Sequence, residues 1–278
     1  MTKKPSRPPR TCIFCGNTGL TREHVWANWL RNYIPKNRPR HSILSGIIER
    51  CGSLTHEIRH REGDPLSRQL RVVCGATKRR AEGCNNGWMG KLQETAKDIV
   101  IPLIKGDTYC LTKEHQRTLA SWCAMTVMVA ECLAKDQGAV TYSERNSLKT
   151  SGEPPSNWKI WIARYARHDW PSDWVHRSIR VSDTNVPNPA DCTLPLPNTQ
   201  FTTIIVGQLL IHAASCEDQS IIDGFNFEPW TNNLLVPIWP NQHTAVFWPP
   251  YAISDNQAIQ IAEYGMRLYD GIGRMFGH

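Results

Sequence analysis

The chain has 278 residues, 40% of them hydrophobic and 21% charged, with a net charge of +7. That length and balance exclude a disulfide-dependent miniprotein and a wholly disordered chain, and predict one or two ordinary globular domains. No apolar run reaches the ~18–20 residues of a membrane span, and the basic start Met1-Thr-Lys-Lys-Pro-Ser-Arg-Pro-Pro-Arg10 lacks the apolar stretch of a secretory signal. A cytoplasmic protein that does not enter the membrane is expected.

In chain order, residues 1–10 read as a basic disordered arm. Cys12-Ile-Phe-Cys15-Gly16 has the form of a zinc knuckle, a tight turn whose second cysteine is followed by glycine. Val25, Trp29 and Leu30 stand at helical spacing, and Pro35 ends that run. Residues 36–50 are basic and turn-prone. The stretches Leu54–His60 and Leu66–Val72 alternate about Gly63-Asp64-Pro65, which predicts a β-hairpin leading into Cys74. After Cys84 a helix is predicted from Trp88 through Leu103, with Asn85 and Asn86 at its N-cap. The composition changes near residue 106. Thr112–Lys135 predicts an apolar helix, and Trp158–Tyr165, Ser178–Ser182 and Phe201–His212 predict strands. Asn233–Trp239 and Thr244–Trp248 suggest a further pair, and Asp255–Met275 a closing amphipathic helix. The fold class expected is α+β, with a small domain over residues 11–105 and a mixed α+β domain over 106–278.

Charge is distributed unevenly. Residues 1–100 hold 19 Lys+Arg against 8 Asp+Glu, and the remainder 13 against 17. A surplus of that size at one end is the footprint of a nucleic-acid-binding module, or else a merely solvated basic surface. The ten cysteines sort by context. Cys12, Cys15, Cys74 and Cys84 sit among turn residues and suit a metal; Cys123 and Cys132 lie in an apolar helical pattern as small hydrophobes. Cys51, Cys110, Cys192 and Cys216 read as reduced, partly buried thiols. Zinc takes four soft ligands, and nine residues separate Cys74 from Cys84. Either that insert is an expanded second knuckle displaying Lys78, Arg79 and Arg80, or Cys51 replaces one of the pair. Trp26, Trp29 and Trp88 are expected in the core. His56-Glu57-Ile58-Arg59-His60 spells the HExxH of zinc proteases, which needs a helix; here it sits in an alternating run and reads as a strand.

Cys12-Ile-Phe-Cys15-Gly16, Glu23-His24-Val25 with Trp29-Leu30, and Cys84-Asn85-Asn86-Gly87-Trp88-Met89 together resemble the HNH, or ββα-metal, nucleases with a treble-clef-like zinc support, bacterial and phage members in particular. The resemblance covers about residues 10–105. It implies a zinc-supported HNH-like endonuclease domain that hydrolyses DNA phosphodiesters, with RNA left open as a substrate. It also implies roles: Glu23 as the acidic metal ligand (more commonly Asp), His24 as the general base, and Asn85 as the closing metal ligand. Zinc would be structural, and Mg²⁺ or Mn²⁺ catalytic. The Glu23 carboxylate and the Asn85 carbonyl oxygen suit a hard cation, and a neutral imidazole can accept the proton of water. Adjacent Glu23 and His24 point to opposite sides of an extended backbone, so a local turn or metal coordination must bring them to one phosphate. Arg22, Lys78, Arg79 and Arg80 are candidates for phosphate contact. The alternative is a zinc-stabilised nucleic-acid-binding protein without hydrolysis. Residues 106–278 are expected to choose the substrate, sense a trigger, or form a homodimer or protein-partner surface.

Overall fold

The computed structural model describes residues 11–34, 40–48, 54–62, 68–133, 138–166, 172–179, 197–224, 234–240 and 243–263, with 40–48 and 54–62 as backbone strands. The chain opens with β1 (Leu20–His24), a 3-10 turn (Asn28–Asn32), β2 (Arg40–Ile48), β3 (Leu54–Glu62) and β4 (Gln69–Cys74). A wide turn over Asn85–Met89 leads into α1 (Gly90–Lys105), β5 (Tyr109–Thr112), α2 (Lys113–Glu131) and α3 (Tyr142–Ser151). Next come β6 (Trp158–Tyr165), β7 (Ser172–Ile179), β8 (Thr199–Val206) and β9 (Leu209–Cys216). The last elements are α4 (Gln219–Asp223), β10 (Val236–Trp239), β11 (Ala245–Trp248) and β12 (Ala252–Ile253), and residues 255–263 are helical. This is the α+β class expected. Among the described residues, no helix is long and apolar enough to cross a membrane.

The main sheet runs β10-β6-β9-β8-β7-β2-β3, with β12 parallel beside β6. Its middle strands β8 and β9 are buried along their whole length, as strands covered on both faces are. Ile204, Val206, Leu209 and Ile211 share a cluster with Trp122 and Met125 of α2. Phe201, Ile205, Leu210 and Ala214 share another with Ile222 of α4 and with Ala258 and Ile261. The sheet is therefore the middle of three layers.

Several local expectations change in this context. Of the alternating runs about Gly63-Asp64-Pro65, the first is β3 and the second gives β4 from Gln69, with 63–67 outside the described residues; β3 pairs with β2 and β4 with β1, not with each other. Segment 36–50, read as turn-prone, contains β2, which is paired with β3 and β7. The helix expected over 25–34 is a five-residue 3-10 turn without a side-chain cap, too short to sustain an α-helix before Pro35. The run 201–212 is a hairpin, because Gly207 takes a φ of +55 and lets β8 turn into β9. β10 and β11 pair with β6 and β5, not with each other. Cys110 is exposed, whereas Cys123 and Cys216 are buried. The arm 1–10, Cys51, Cys192 and the closing helix beyond 263 lie outside the described residues.

The C-terminal end of α1 is tied to the sheet. Gly106 ends the helix with a left-handed φ of +77. Gln208, in the β8–β9 turn, donates from its backbone N–H to Ile104 O at 2.9 Å and from Nε2 to Lys105 O at 2.9 Å. Carbonyls that a helix end leaves open are thus met by the sheet. A Cβ on Gly207 would stand 2.4 Å from Ile104 O, so the approach needs glycine. One hydrophobic cluster runs from Phe14 and Trp26 through Leu103 to Trp122 and Trp248, continuing across residue 105 where the domain boundary is expected.

A buried carboxylate holds the other end of α2. Glu131, 1% exposed, accepts from Ala139 N–H at 2.6 Å and from Arg145 Nη2 at 2.8 Å. His176 lies 3.8 Å away, but burial lowers its pKa to about 4, so it is a neutral neighbour. Burial also pushes Glu131 up to about 7, and the opposing pull of Arg145 does not overcome it. A carboxyl whose folded pKa lies above its unfolded value gives stability that is full below the unfolded pKa and lost as pH rises through the folded one. Between pH 4.5 and 7.5 the wild type should therefore lose about 3 kcal/mol relative to Glu131→Gln, which cannot titrate. Urea unfolding of both proteins across that range measures it, and a pH-independent difference would contradict the assignment.

Candidate metal centre and adjoining polar site

Cys12 and Cys15 lie on one tight turn, closed by Gly16 N–H donating to Cys12 O at 2.9 Å. Gly16 has a φ of +70, the left-handed conformation that glycine adopts without strain. Cys74 ends β4, and Cys84 precedes the Asn85–Met89 turn. The four sulfurs lie within 4.8 Å of one another, and three of the four cysteines are buried. Zinc–thiolate bonds of about 2.3 Å in a tetrahedron set sulfurs about 3.8 Å apart, so the donor set fits such an ion. Cys15 Sγ stands 3.5 Å from Cys74 Sγ, which also accepts from Cys84 N–H at 3.3 Å. The hydrogen bond from Cys84, helped by backbone N–H groups, pulls the Cys12 thiol down to about 4 against the effect of burial. That same bond, together with burial, pushes Cys84 up, and burial pushes Cys74 up. Four cysteine sulfurs so placed can hold a metal ion such as zinc, releasing protons as they do so.

The nine residues between Cys74 and Cys84 fold back on themselves. Thr77 N–H donates to Arg80 O at 2.8 Å, and Arg80 N–H to Thr77 O at 3.1 Å. The loop ends meet so closely that a Cβ on Gly83 would stand 2.5 Å from Cys74 O. The long spacing therefore alters the loop and leaves the convergence of the sulfurs intact. Lys78, Arg79 and Arg22 are exposed. Arg80 is placed differently: its Nη2 donates to Gly75 O at 2.7 Å and Thr18 O at 3.2 Å, bracing the loop against the first knuckle.

Beside the cysteines lies a polar site made by β1, β4 and α1. The two antiparallel strands pair Leu20 with Cys74 and His24 with Gln69, with a bulge between Thr21 and Glu23. Asn85, next to Cys84, reaches back to β1: its Nδ2 donates to Thr21 Oγ1 at 3.0 Å and to Arg22 O at 3.2 Å. Both bonds use the amide nitrogen as donor. Glu23, 6% exposed, accepts from Gln93 Nε2 of α1 at 3.1 Å. Burial pushes its carboxyl up to about 7, while hydrogen bonds from Gln93 and Asn85 pull it back. Glu23 and Asn85 thus meet on the side of β1 that faces α1.

His24 follows on the strand and takes other partners. Gln69 Nε2 donates to His24 Nε2 at 2.7 Å, which requires that nitrogen to be unprotonated. Burial, then the charge of Arg31, lowers the His24 pKa from its ordinary 6.5, so the ring is neutral at neutral pH. Strand alternation separates it from Glu23, as expected of adjacent residues.

The asparagines do not cap α1, whose N-cap is Met89 without a side-chain bond. Asn86 Oδ1 instead accepts from Gly83 N–H at 2.9 Å, and the turn is wide, with Met89 N–H reaching Cys84 O at 3.2 Å. Trp26 is buried, and Trp29 and Trp88 pack on the same cluster, Trp88 edge-on to Phe14 at 5.0 Å. The HExxH segment is strand β3, without the helix that its protease reading needs. Gln69, Gln93 and Thr21 carry no local sequence signal for these contacts. Comparison of the chain with protein-family models, curated proteins and solved structures gives no match.

Proposed function

We propose that this chain is an HNH-type, metal-dependent endonuclease acting on DNA phosphodiesters. In this reading zinc, held by Cys12, Cys15, Cys74 and Cys84, is structural. Glu23 and Asn85 hold a catalytic Mg²⁺ or Mn²⁺, and His24 is the general base. One observation carries the reading: the residue directly after the last cysteine of the cluster is hydrogen-bonded onto the strand that bears Glu23 and His24. Metal cluster, acid and amide are thereby locked into one unit of two strands and a helix. A non-catalytic zinc module has no need of a buried carboxylate oriented by a glutamine and an asparagine.

Hydrolysis requires a base to take a proton from water and positive charge near the departing 3′ oxygen. A divalent cation bound at Glu23 and Asn85 would supply that charge. Gln93 orients the Glu23 carboxylate through Oε1. The bond from Gln69 now occupies the Nε2 lone pair of His24. Gln69 is exposed and its amide can turn away at little cost, which frees that lone pair for water. Arg22, Lys78 and Arg79 offer exposed positive charge for the phosphates on either side.

Incubating supercoiled plasmid with the protein in Mg²⁺ or Mn²⁺ tests the reading, and nicked or linear DNA is the expected product. EDTA should abolish it. Retarded but uncut plasmid in both metals would instead establish the zinc-stabilised binding protein, and a parallel RNA substrate decides the nucleic acid.

A further inference from the structure

The two edges of the main sheet are finished in opposite ways. At one edge β10 is four residues long, contains Pro237 and is irregular between Pro237 and Trp239. Short length, proline and irregular register are the usual protections against a second strand. At the other edge β3 runs nine residues, Leu54–Glu62, without proline or glycine, and its ladder to β2 is regular at all nine positions. Among the described residues no strand pairs with its outer side.

The order of charges along β3 suits one partner, another copy of itself. Two antiparallel β3 strands related by a twofold axis perpendicular to the sheet keep each position on its own face. Only registers that slip by two residues are then allowed. Centred on Ile58, the midpoint of the strand, all nine positions pair. Glu57 stands opposite Arg59 of the second copy, and Arg59 opposite its Glu57. The register centred on Glu57 places Glu57 opposite Glu57 on the axis and keeps no opposite-charge pair; the one centred on Arg59 keeps Glu57 opposite Arg61 but places Arg59 opposite Arg59 and pairs only seven positions. Opposite charges at facing positions stabilise antiparallel pairs and like charges destabilise them, so the central register is selected.

The geometry points to a homodimer formed by antiparallel pairing of β3 with β3 about Ile58, joining two main sheets into one. The surface lies outside residues 106–278, and it gives the His56–His60 segment a role that needs no metal. The inference stands apart from the nuclease reading, since its test measures mass and not cutting.

Sedimentation velocity on the full chain provides that test. Wild type should sediment as a dimer of the 31.6 kDa chain. Glu57→Arg and Arg59→Glu each replace two attractive pairs with repulsive ones and should weaken dimerisation at least about tenfold. Mixing those two variants restores opposite charges at every facing pair, so the mixture should dimerise where neither variant does alone. The exchanged variant E57R/R59E should dimerise by itself. A wild type that stays monomeric at tens of micromolar overturns the proposal. So do single variants as dimeric as wild type, or a mixture and an exchanged variant that both stay monomeric.

Discussion

Serine at Cys84 is expected to remove bound zinc and most of the stability of the N-terminal part of the chain. Cys84 is 3% exposed and is bound on both sides, its N–H to Cys74 Sγ and its neighbour Asn85 to β1. Phe14 and Trp88 pack beside the cluster, but the two strands there are five and six residues long. Structural zinc contributes about 10–16 kcal/mol in small domains, and three thiolates recover only part of that. A loss of at least about 4 kcal/mol is therefore expected, placing Cys84→Ser among the most damaging single changes available to the chain. Elemental analysis gives the zinc content and denaturant unfolding the stability. Cys110→Ser, at an exposed thiol outside the cluster, should change neither. One zinc per chain retained in Cys84→Ser, with unfolding at the wild-type denaturant concentration, would remove Cys84 from the ligand set.

The cysteines were legible because their chemistry is local. A CxxCG turn announces itself within five residues, and the sulfurs of Cys74 and Cys84 converge whatever the loop between them does. Helix α2 was legible for a similar reason: its apolar stripe is long, and Thr112 caps it through a bond from His115 N–H. Strand partners were not, because alternation states that a segment is extended and says nothing of its neighbour. β3 and β4 were each visible, yet β4 is claimed by β1 through the pairing of Leu20 with Cys74. That pairing follows from two cysteine turns meeting, a contact between residues far apart in sequence. Gln93 and Gln69 were hidden by the same limit. Glutamine on a helix or a strand is ordinary, and only the fold brings these two against Glu23 and His24. Arg80 shows the converse, a residue whose charge suggests a phosphate and whose position in the loop turns it toward two carbonyls.

His24→Ala is expected to lower the rate of DNA cleavage by about a thousandfold, within the range that general-base catalysis supplies. The fold should tolerate the change, because His24 is only half-buried and its side chain hydrogen-bonds, among the described residues, to the exposed Gln69. Zinc content and unfolding should therefore match wild type, which separates the effect from that of Cys84→Ser. The pH dependence gives a second, independent sign. Only the neutral imidazole accepts a proton, and burial with Arg31 lowers the His24 pKa from 6.5. Wild-type cleavage should fall on the acid side as both Glu23, whose carboxyl is pushed up to about 7, and His24 take up protons, and the residual activity of His24→Ala should keep the Glu23 limb alone. Glu23→Gln should behave differently, losing activity that a higher Mn²⁺ concentration partly restores, since its deficit lies in holding the cation. Cleavage by His24→Ala at the wild-type rate, still abolished by EDTA, would move the base to another residue and leave the Glu23–Asn85 metal site standing.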